Sequence, residues 1–426
     1  MIAQAPIETG ITGMGILSSI GRDVPTFCAS LREGRAGFSR AERKHPSAPV
    51  DIAAEIKDFS FLEELKRCND LSEPTFRAAR RLGQRAPFPV QVAILSALEA
   101  WSMAGMFVSR PAPERIGVIV AGQNTTQNYQ FGLIPGFLAN PEYLTPRYGL
   151  EFFDSNHVGI LSELLGIHGE GFVVGGASAT GNLALIKAWQ AVSSGWLDAC
   201  LVAGITADPS PMDLQGFFSM GAMGGRKFSG NPEKACRPFD VQHEGFIYGQ
   251  AGACVVLESR ASAQNRGAPL LATVNSGAVY LDGNSSSNPS MEGEAAAMRL
   301  AIAGSGLPLS EIGYVNTHGS SSPLGDRTEA EAIREVFGDL ASEVWMNSTK
   351  GLTGHCLQSA GVVEVIATVL QMREGFIHPN RNLEEPVQTG LRFSGPVAVE
   401  TRIEAALSNS FGFGGINSSV VLTRGH

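Results

Sequence analysis

The sequence predicts an α/β protein, a mixed and largely parallel sheet covered by helices. Two observations lead there. Apolar β-branched runs alternate with helical patterns from end to end, which is the signature of βαβ units. Glycine is abundant, 50 of 426 residues, which favours tight turns and close backbone approaches over long coiled helices. A chain this long exceeds the needs of one small core, so two domains or one large duplicated α/β unit is expected.

In order, the strand-like runs are ETGITGMGIL (8–17), RIGVIVAG (115–122), GFVVGG (171–176), ACLVAGI (199–205) and ACVVLES (253–259). LLATVNSGAVYL (270–281), YVNTHG (314–319) and SSVVLTR (418–424) complete them. Between them lie the helical patterns VPTFCASLREG, PVQVAILSALEAWSMAG, GNLALIKAWQAVSSG, GEAAAMRLAIAGSG and GVVEVIATVLQMREG. The helices at 93–103 and 361–372 are apolar on most sides, which places a helix layer between two sheets. The stretch from about 41 to 90, with Pro46, Pro49, Pro74, Pro87 and Pro89, reads as a surface excursion.

A net charge of −9 argues against nucleic acid, which requires concentrated Lys and Arg. An acidic partner needs only a local basic patch. Arg77, Arg80, Arg81 and Arg85 form either such a patch or a solvated helix face. The six cysteines (Cys28, Cys68, Cys200, Cys236, Cys254, Cys356) contain no CxxC pair, the usage of a reducing compartment. There is no secretory pattern at the start and no apolar run long enough for a membrane helix, so a cytoplasmic protein is expected.

Chemistry concentrates in four small-residue segments. VVGGASATGN crowds small residues around the hydroxyl of Ser178; it is an incomplete nucleophile elbow, because the second glycine of GxSxG is missing. His318 in VNTHGSSSPLGD and His355 in STKGLTGHCLQSAG stand among Gly, Thr and Ser, where backbone and ligand can approach. Taken singly, each is as readily a structural histidine as a catalytic one. The other six (His45, His157, His168, His243, His378, His426) read as structural or surface residues. Phe411 to Gly415 form either a mobile turn with an oxyanion donor and a phenylalanine door, or a glycine-rich hairpin with core phenylalanines. No HExxH, paired Cys/His spacing or EF-hand loop suggests a metal, and GFGG is not a dinucleotide fingerprint.

Taken together, ITGMGILSSIG, LLGIHGEGFVVGGASATGN, RPFDVQHEGFIYGQAGACVVLE, VNTHGSSSPLGD, STKGLTGHCLQSAGVVEVI and ALSNSFGFGGINSSVVL resemble the β-ketoacyl-ACP synthase branch of the thiolase-fold condensing enzymes. The resemblance implies a thiolase-like five-layered αβαβα fold with duplicated halves, here 1–258 and 259–426. It also implies a homodimer whose interface lies near the nucleophile strand. The family's catalytic histidines match His318 and His355, its lysine Lys350, its glutamate Glu364 and its gating phenylalanine Phe413. Lys350 and Glu364 are expected to organise the histidine loops rather than to react.

One residue departs: Ser178 stands where condensing members carry cysteine. An alcohol hardly ionises near neutrality, whereas a thiol has an unperturbed pKa of about 8.5. Accepting an acyl chain is therefore not expected of Ser178; it either fills space or hydrogen-bonds the substrate. Its backbone N–H and that of Phe413 match the family's oxyanion hole. What the resemblance leaves to this chain is decarboxylation of malonyl-ACP, with the two imidazoles expected to hold the enolate oxygen. Phe413 and one of Phe217 or Phe218 are expected to supply an apolar wall, and Ser287 and Asn409 to touch the pantetheine arm. The finer resemblance is to the Cys-to-Ser decarboxylating ketosynthase-like proteins of polyketide β-branching cassettes. These give acetyl-ACP to a hydroxymethylglutaryl-synthase-like partner and use no cofactor beyond the carrier's phosphopantetheine. Two alternatives are a non-catalytic chain-length-factor-like subunit and a condensing enzyme that tolerates serine.

Overall fold

The computed structural model describes residues 6–42, 49–68 and 70–425; His45, Pro46 and His426 lie outside them. The first five long strands are Thr9–Ser18, Ile116–Ala121, Gly171–Val174, Ala199–Gly204 and Ala251–Ser259. From the sheet edge inward they lie in the order third, second, fourth, fifth, first. A second set, Ala272–Leu281, Ile312–Asn316, Trp345–Asn347, Ala405–Gly412 and Ile416–Arg424, repeats this order. It also repeats the directions: second pairs with third and fourth in parallel, while fifth is antiparallel to fourth and first. The duplication invisible as sequence similarity is thus plain in the topology.

The two first strands meet only through Thr9↔Val274, Gly10↔Thr273 and Ile11↔Ala272. Away from that seam the halves part, and the helices Thr180–Ser193 and Ala360–Glu374 fill the space between them. Ala360–Glu374 packs on strands of both halves, and every residue from Ala360 to Met372 is buried. Phe88–Met103 covers the outer face of the first half; Met291–Ser305 and, beyond it, Pro323–Phe337 cover the second. The result is five layers, helix, sheet, helix, sheet, helix.

One expectation is corrected. The apolar helix at 93–103 does not lie between the sheets. It sits on the outer face of the first half and is apolar all round because Phe61–Arg67 and Glu73–Gly83 pack over it. The excursion at 41–90 therefore contains two helices that roof this one. Sequence reading also passed over the strand Ala405–Gly412 and the helices Gln127–Ala139, Asn156–Leu165, Pro211–Ser219 and Pro323–Phe337. Gln127–Ala139 has Pro135 inside it and not one buried residue within this chain, so it carries no stripe to read. No described helix is long and apolar enough to cross a membrane.

Candidate active site

Each central helix begins with one tight turn, and the two turns correspond position for position. Ala177–Ala179 precedes Thr180–Ser193, and Leu357–Ser359 precedes Ala360–Glu374. Both turns open on a non-glycine residue in the left-handed region, Ala177 at φ 49° and Leu357 at φ 53°, a strain that throws the next side chain outward. Those next side chains are Ser178 and Gln358, and both line one cavity of about 490 Å³. Thr180 Oγ1 holds the first turn, accepting from the Gly176 N–H at 2.9 Å and donating to the Ala177 carbonyl at 2.6 Å.

The small residues around Ser178 have a packing cause. The helix starts cross backbone to backbone: a Cβ on Gly361 would stand 2.6 Å from the Asn182 nitrogen, and one on Gly181 2.7 Å from that of Val362. Gly412 lies as close, since its Cβ would be 2.5 Å from the Gly176 carbonyl. The hairpin Ala405–Gly412 and Ile416–Arg424 thereby brings Phe411 and Phe413 to the serine.

His355 Nε2 is 2.9 Å from Ser178 Oγ, and its Nδ1 accepts the Leu357 N–H at 3.1 Å. With Nδ1 accepting, the ring proton is on Nε2 and is donated to the serine oxygen. His355 is therefore no base for Ser178. His318 follows the strand Ile312–Asn316, its ring centroid 5.5 Å from that of His355. Lys350 Nζ donates to His318 Nδ1 at 3.3 Å and to the His318 carbonyl at 2.5 Å, so this ring also carries its proton on Nε2. Burial first, and Lys350 second, holds both imidazoles well below the ordinary histidine range; His355 adds to the effect on His318. Two neutral N–H donors line one cavity.

Behind them lies a buried charged frame. Lys350 pairs with Glu364, both almost fully buried. The Glu329 carboxylate accepts the backbone N–H of His318 at 2.8 Å and of Gly319 at 2.7 Å, and Asn409 Nδ2 at 3.2 Å. Burial pushes Glu329 up to about 7 against those donors. Asp326 accepts from Ser321, Phe239 and His243. Glu329 and Asp326 escaped the sequence reading. Their signal was DRTEAEAI, acids three apart in the first turns of a helix directly after the histidine loop.

The remaining residues fall on both sides of the cavity wall. Phe217, Ser287 and Phe413 line it. Phe217 stacks edge-on against Phe246 at 5.6 Å, which stands edge-on to His355 at 5.2 Å. Phe218 points away, under the Arg226 guanidinium at 4.0 Å, so of that pair only Phe217 faces the site. Asn409 is not at the wall but behind it, holding Glu329 and accepting from Ser419 at 2.8 Å. Ser320 and Ser322, 2.8 Å apart, reach the cavity from the His318 loop and were also missed. Of the arginine patch, Arg77 pairs with Glu73 and Arg81 with Glu163, each at 2.6 Å. His157 and His378 are buried and bonded to Thr125 and Pro379, while His168 is exposed. Among the described residues no cluster of three His, Cys, Asp or Glu side chains could hold a metal.

The N-terminal domain of the beta-ketoacyl synthase family matches residues 8–263, and its C-terminal domain residues 271–384. The chain is 36% identical over 416 residues to "Polyketide biosynthesis malonyl-ACP decarboxylase PksF" of Bacillus subtilis (strain 168), covering 97% of this chain and 96% of that protein. It is 30% identical over 425 residues to the 3-oxoacyl-[acyl-carrier-protein] synthase 2 of Coxiella burnetii, covering 97% and 98%. Among solved structures, "The ishigamide ketosynthase/chain length factor" superposes with a TM-score of 0.83 at 26% identity over 99% of this chain and all of that one. A type II ketosynthase in complex with its acyl-carrier protein gives 0.84 at 23% identity over 98% and 100%, a likeness of fold. The chain belongs to the beta-ketoacyl synthase family.

Proposed function

We propose that this protein decarboxylates malonyl-ACP to acetyl-ACP and does not condense acyl chains. The observation that carries the reading is the direction of one hydrogen bond. His355 Nε2–H donates to Ser178 Oγ while its Nδ1 is occupied by the Leu357 N–H, so the alcohol has no base and remains a poor nucleophile. The similarity to the Bacillus subtilis decarboxylase supports the same reading.

The substrate enters as a thioester on the carrier's phosphopantetheine arm, with no cofactor of the protein's own. The thioester carbonyl takes the place of Ser178 as acceptor for His355 and meets His318 as a second donor. When carbon dioxide leaves, negative charge develops on that oxygen. A positioned donor of this kind stabilises it by about 3 kcal/mol. Because both rings are held neutral, they keep their protons on Nε2 and gain strength as charge grows. Phe217 and Phe246 present an apolar wall beside them, which favours loss of neutral carbon dioxide over retention of a carboxylate.

The assembly belongs to the same proposal. Gly171–Val174 is an unpaired sheet edge, whereas Arg392–Phe393 covers the corresponding edge of the second half. In the segment leading to Gly171–Val174, Phe137, Leu138, Leu150 and Phe153 are exposed. Burial of this surface in a homodimer is the economical arrangement. All six cysteines are free thiols, in keeping with a cytoplasmic enzyme. Its acetyl-ACP would serve a β-branching sequence through a hydroxymethylglutaryl-synthase-like enzyme.

Intact mass spectrometry of malonyl-ACP incubated with the protein alone tests the reading. The expected result is loss of one carbon dioxide from the carrier with no mass added to the enzyme. An acylated enzyme would establish condensation instead, and a carrier unchanged until a second ketosynthase subunit is added would establish a chain-length-factor role.

A further inference from the structure

We propose that Glu294 is the acid that protonates the enolate carbon, a step the two histidines do not supply. This rests on the decarboxylase reading and adds a residue to it.

Glu294 lies in the first turn of Met291–Ser305, a helix capped by Ser290, whose Oγ accepts the Gly293 N–H at 3.2 Å. It is 1% exposed, yet it lines the cavity that Ser178, His318 and His355 also line. Its Oε2 has no hydrogen-bond partner. One turn on, Met298 touches Asn409, which donates to Glu329, the carboxylate that holds the His318 backbone. Glu294 thus stands beside the frame of the catalytic histidine, and nothing in the mechanism above uses it.

Its charge state follows from its surroundings. An ionised carboxylate that is almost fully buried and without a partner costs several kcal/mol. The cost is greater here because the cavity must admit an anionic malonyl group and then hold an anionic enolate. Asp282, anchored by Asn417 Nδ2 at 2.7 Å, reaches the same cavity wall and repels a second anion. Burial first, then Glu329, Asp282 and Asp326, pushes the Glu294 carboxyl well above the usual carboxylate range. A neutral carboxyl must donate its O–H, and no protein group is hydrogen-bonded to Oε2. The group that arrives to take the proton is the substrate.

The balance closes. Malonyl-ACP loses carbon dioxide and leaves an enolate; the enolate carbon takes the Glu294 proton, giving acetyl-ACP and a carboxylate; solvent reprotonates that carboxylate through the cavity. The net reaction consumes one proton and releases one carbon dioxide.

Replacing the acid by its isosteric amide, Glu294→Gln, separates this role from a structural one. Turnover is followed by carrier mass in buffer containing ¹³C-bicarbonate, with Glu294→Asp, an acid one methylene shorter, alongside. Expected for Glu294→Gln are a kcat lower by about 100-fold or more, KM nearly unchanged, and more ¹³C returned to malonyl-ACP per acetyl-ACP formed, because the unquenched enolate recaptures carbon dioxide. Glu294→Asp should be faster than Glu294→Gln. A Glu294→Gln enzyme as active as the parent, or one slowed without added ¹³C exchange or advantage to the aspartate, overturns the proposal. If Glu294→Gln does not fold, the exchange ratio of Glu294→Asp against the parent decides: a rise supports, no change refutes. A parent enzyme that releases no carbon dioxide refutes the decarboxylase reading itself.

Discussion

The two halves share a strand order, a pair of central helices and a strained turn, yet they carry unequal chemistry. Where the second half places His355 before its turn, the first has Gly175; where the second has Gln358 at the apex, the first has Ser178. Glu364, one turn into the second central helix, corresponds to Ala184 in the first, buried and apolar. The first half thus contributes one hydroxyl, an open sheet edge and an unburied apolar helix. The second contributes both imidazoles and the charged frame behind them. The two equivalent turns face one cavity and differ in the side chains they present to it.

That division can be broken experimentally, and the largest effect should come from the frame. Lys350→Ala leaves Glu364 buried without its partner and should destabilise the fold by about 3–5 kcal/mol, read by denaturant unfolding. An unchanged midpoint would mean the pair does not hold the second half together. Next in size, His318→Ala or His355→Ala should slow acetyl-ACP formation about 100-fold, roughly the loss of one positioned donor. Full activity in either variant would remove that ring from the enolate scheme. Because burial keeps the rings neutral, their nitrogen resonances should show no protonation between about pH 8 and the ordinary histidine value of about 6.5. Protonation within that range would undo the donor assignment.

The symmetry itself is tested at the helix crossing. Gly361→Ala sets a methyl against the Asn182 backbone and should cost about 1–3 kcal/mol of stability, with Gly181→Ala similar because the contact is mutual. A much smaller cost at one of the two would show that the halves are not equivalent there. The smallest change in stability is expected of Ser178→Cys, which restores a thiol to the first-half turn. Alkylation by iodoacetamide, followed by peptide mass, should mark that residue; a thiol there that stays unmodified would show that the turn does not open on the cavity.

Much of the site was legible in the sequence because it is written in short local strings. The turn GGASATG, the histidines in their Gly/Ser loops and the GFGG hairpin each owe their composition to close backbone approaches. Glu329, Asp326 and Glu294 were not legible. What sets them apart is burial beside His318 and the cavity, and an acid on a helix looks solvated until its neighbours are known. Phe217 and Phe218 show the same limit: adjacent and chemically identical, they differ only in which way the helix Pro211–Ser219 turns them.

By itself the sequence determined the α/β alternation, the small-residue turns and the replacement of a thiol by an alcohol, since each is set by local backbone sterics or by the identity of one atom. It takes the folded molecule to set which nitrogen of each imidazole carries the proton, which carboxyls burial pushes above their usual range, and that the two halves repeat one strand order. Those properties belong to pairs of groups far apart in the chain, whose separation and shielding from water exist only once the sheets have closed over the central helices.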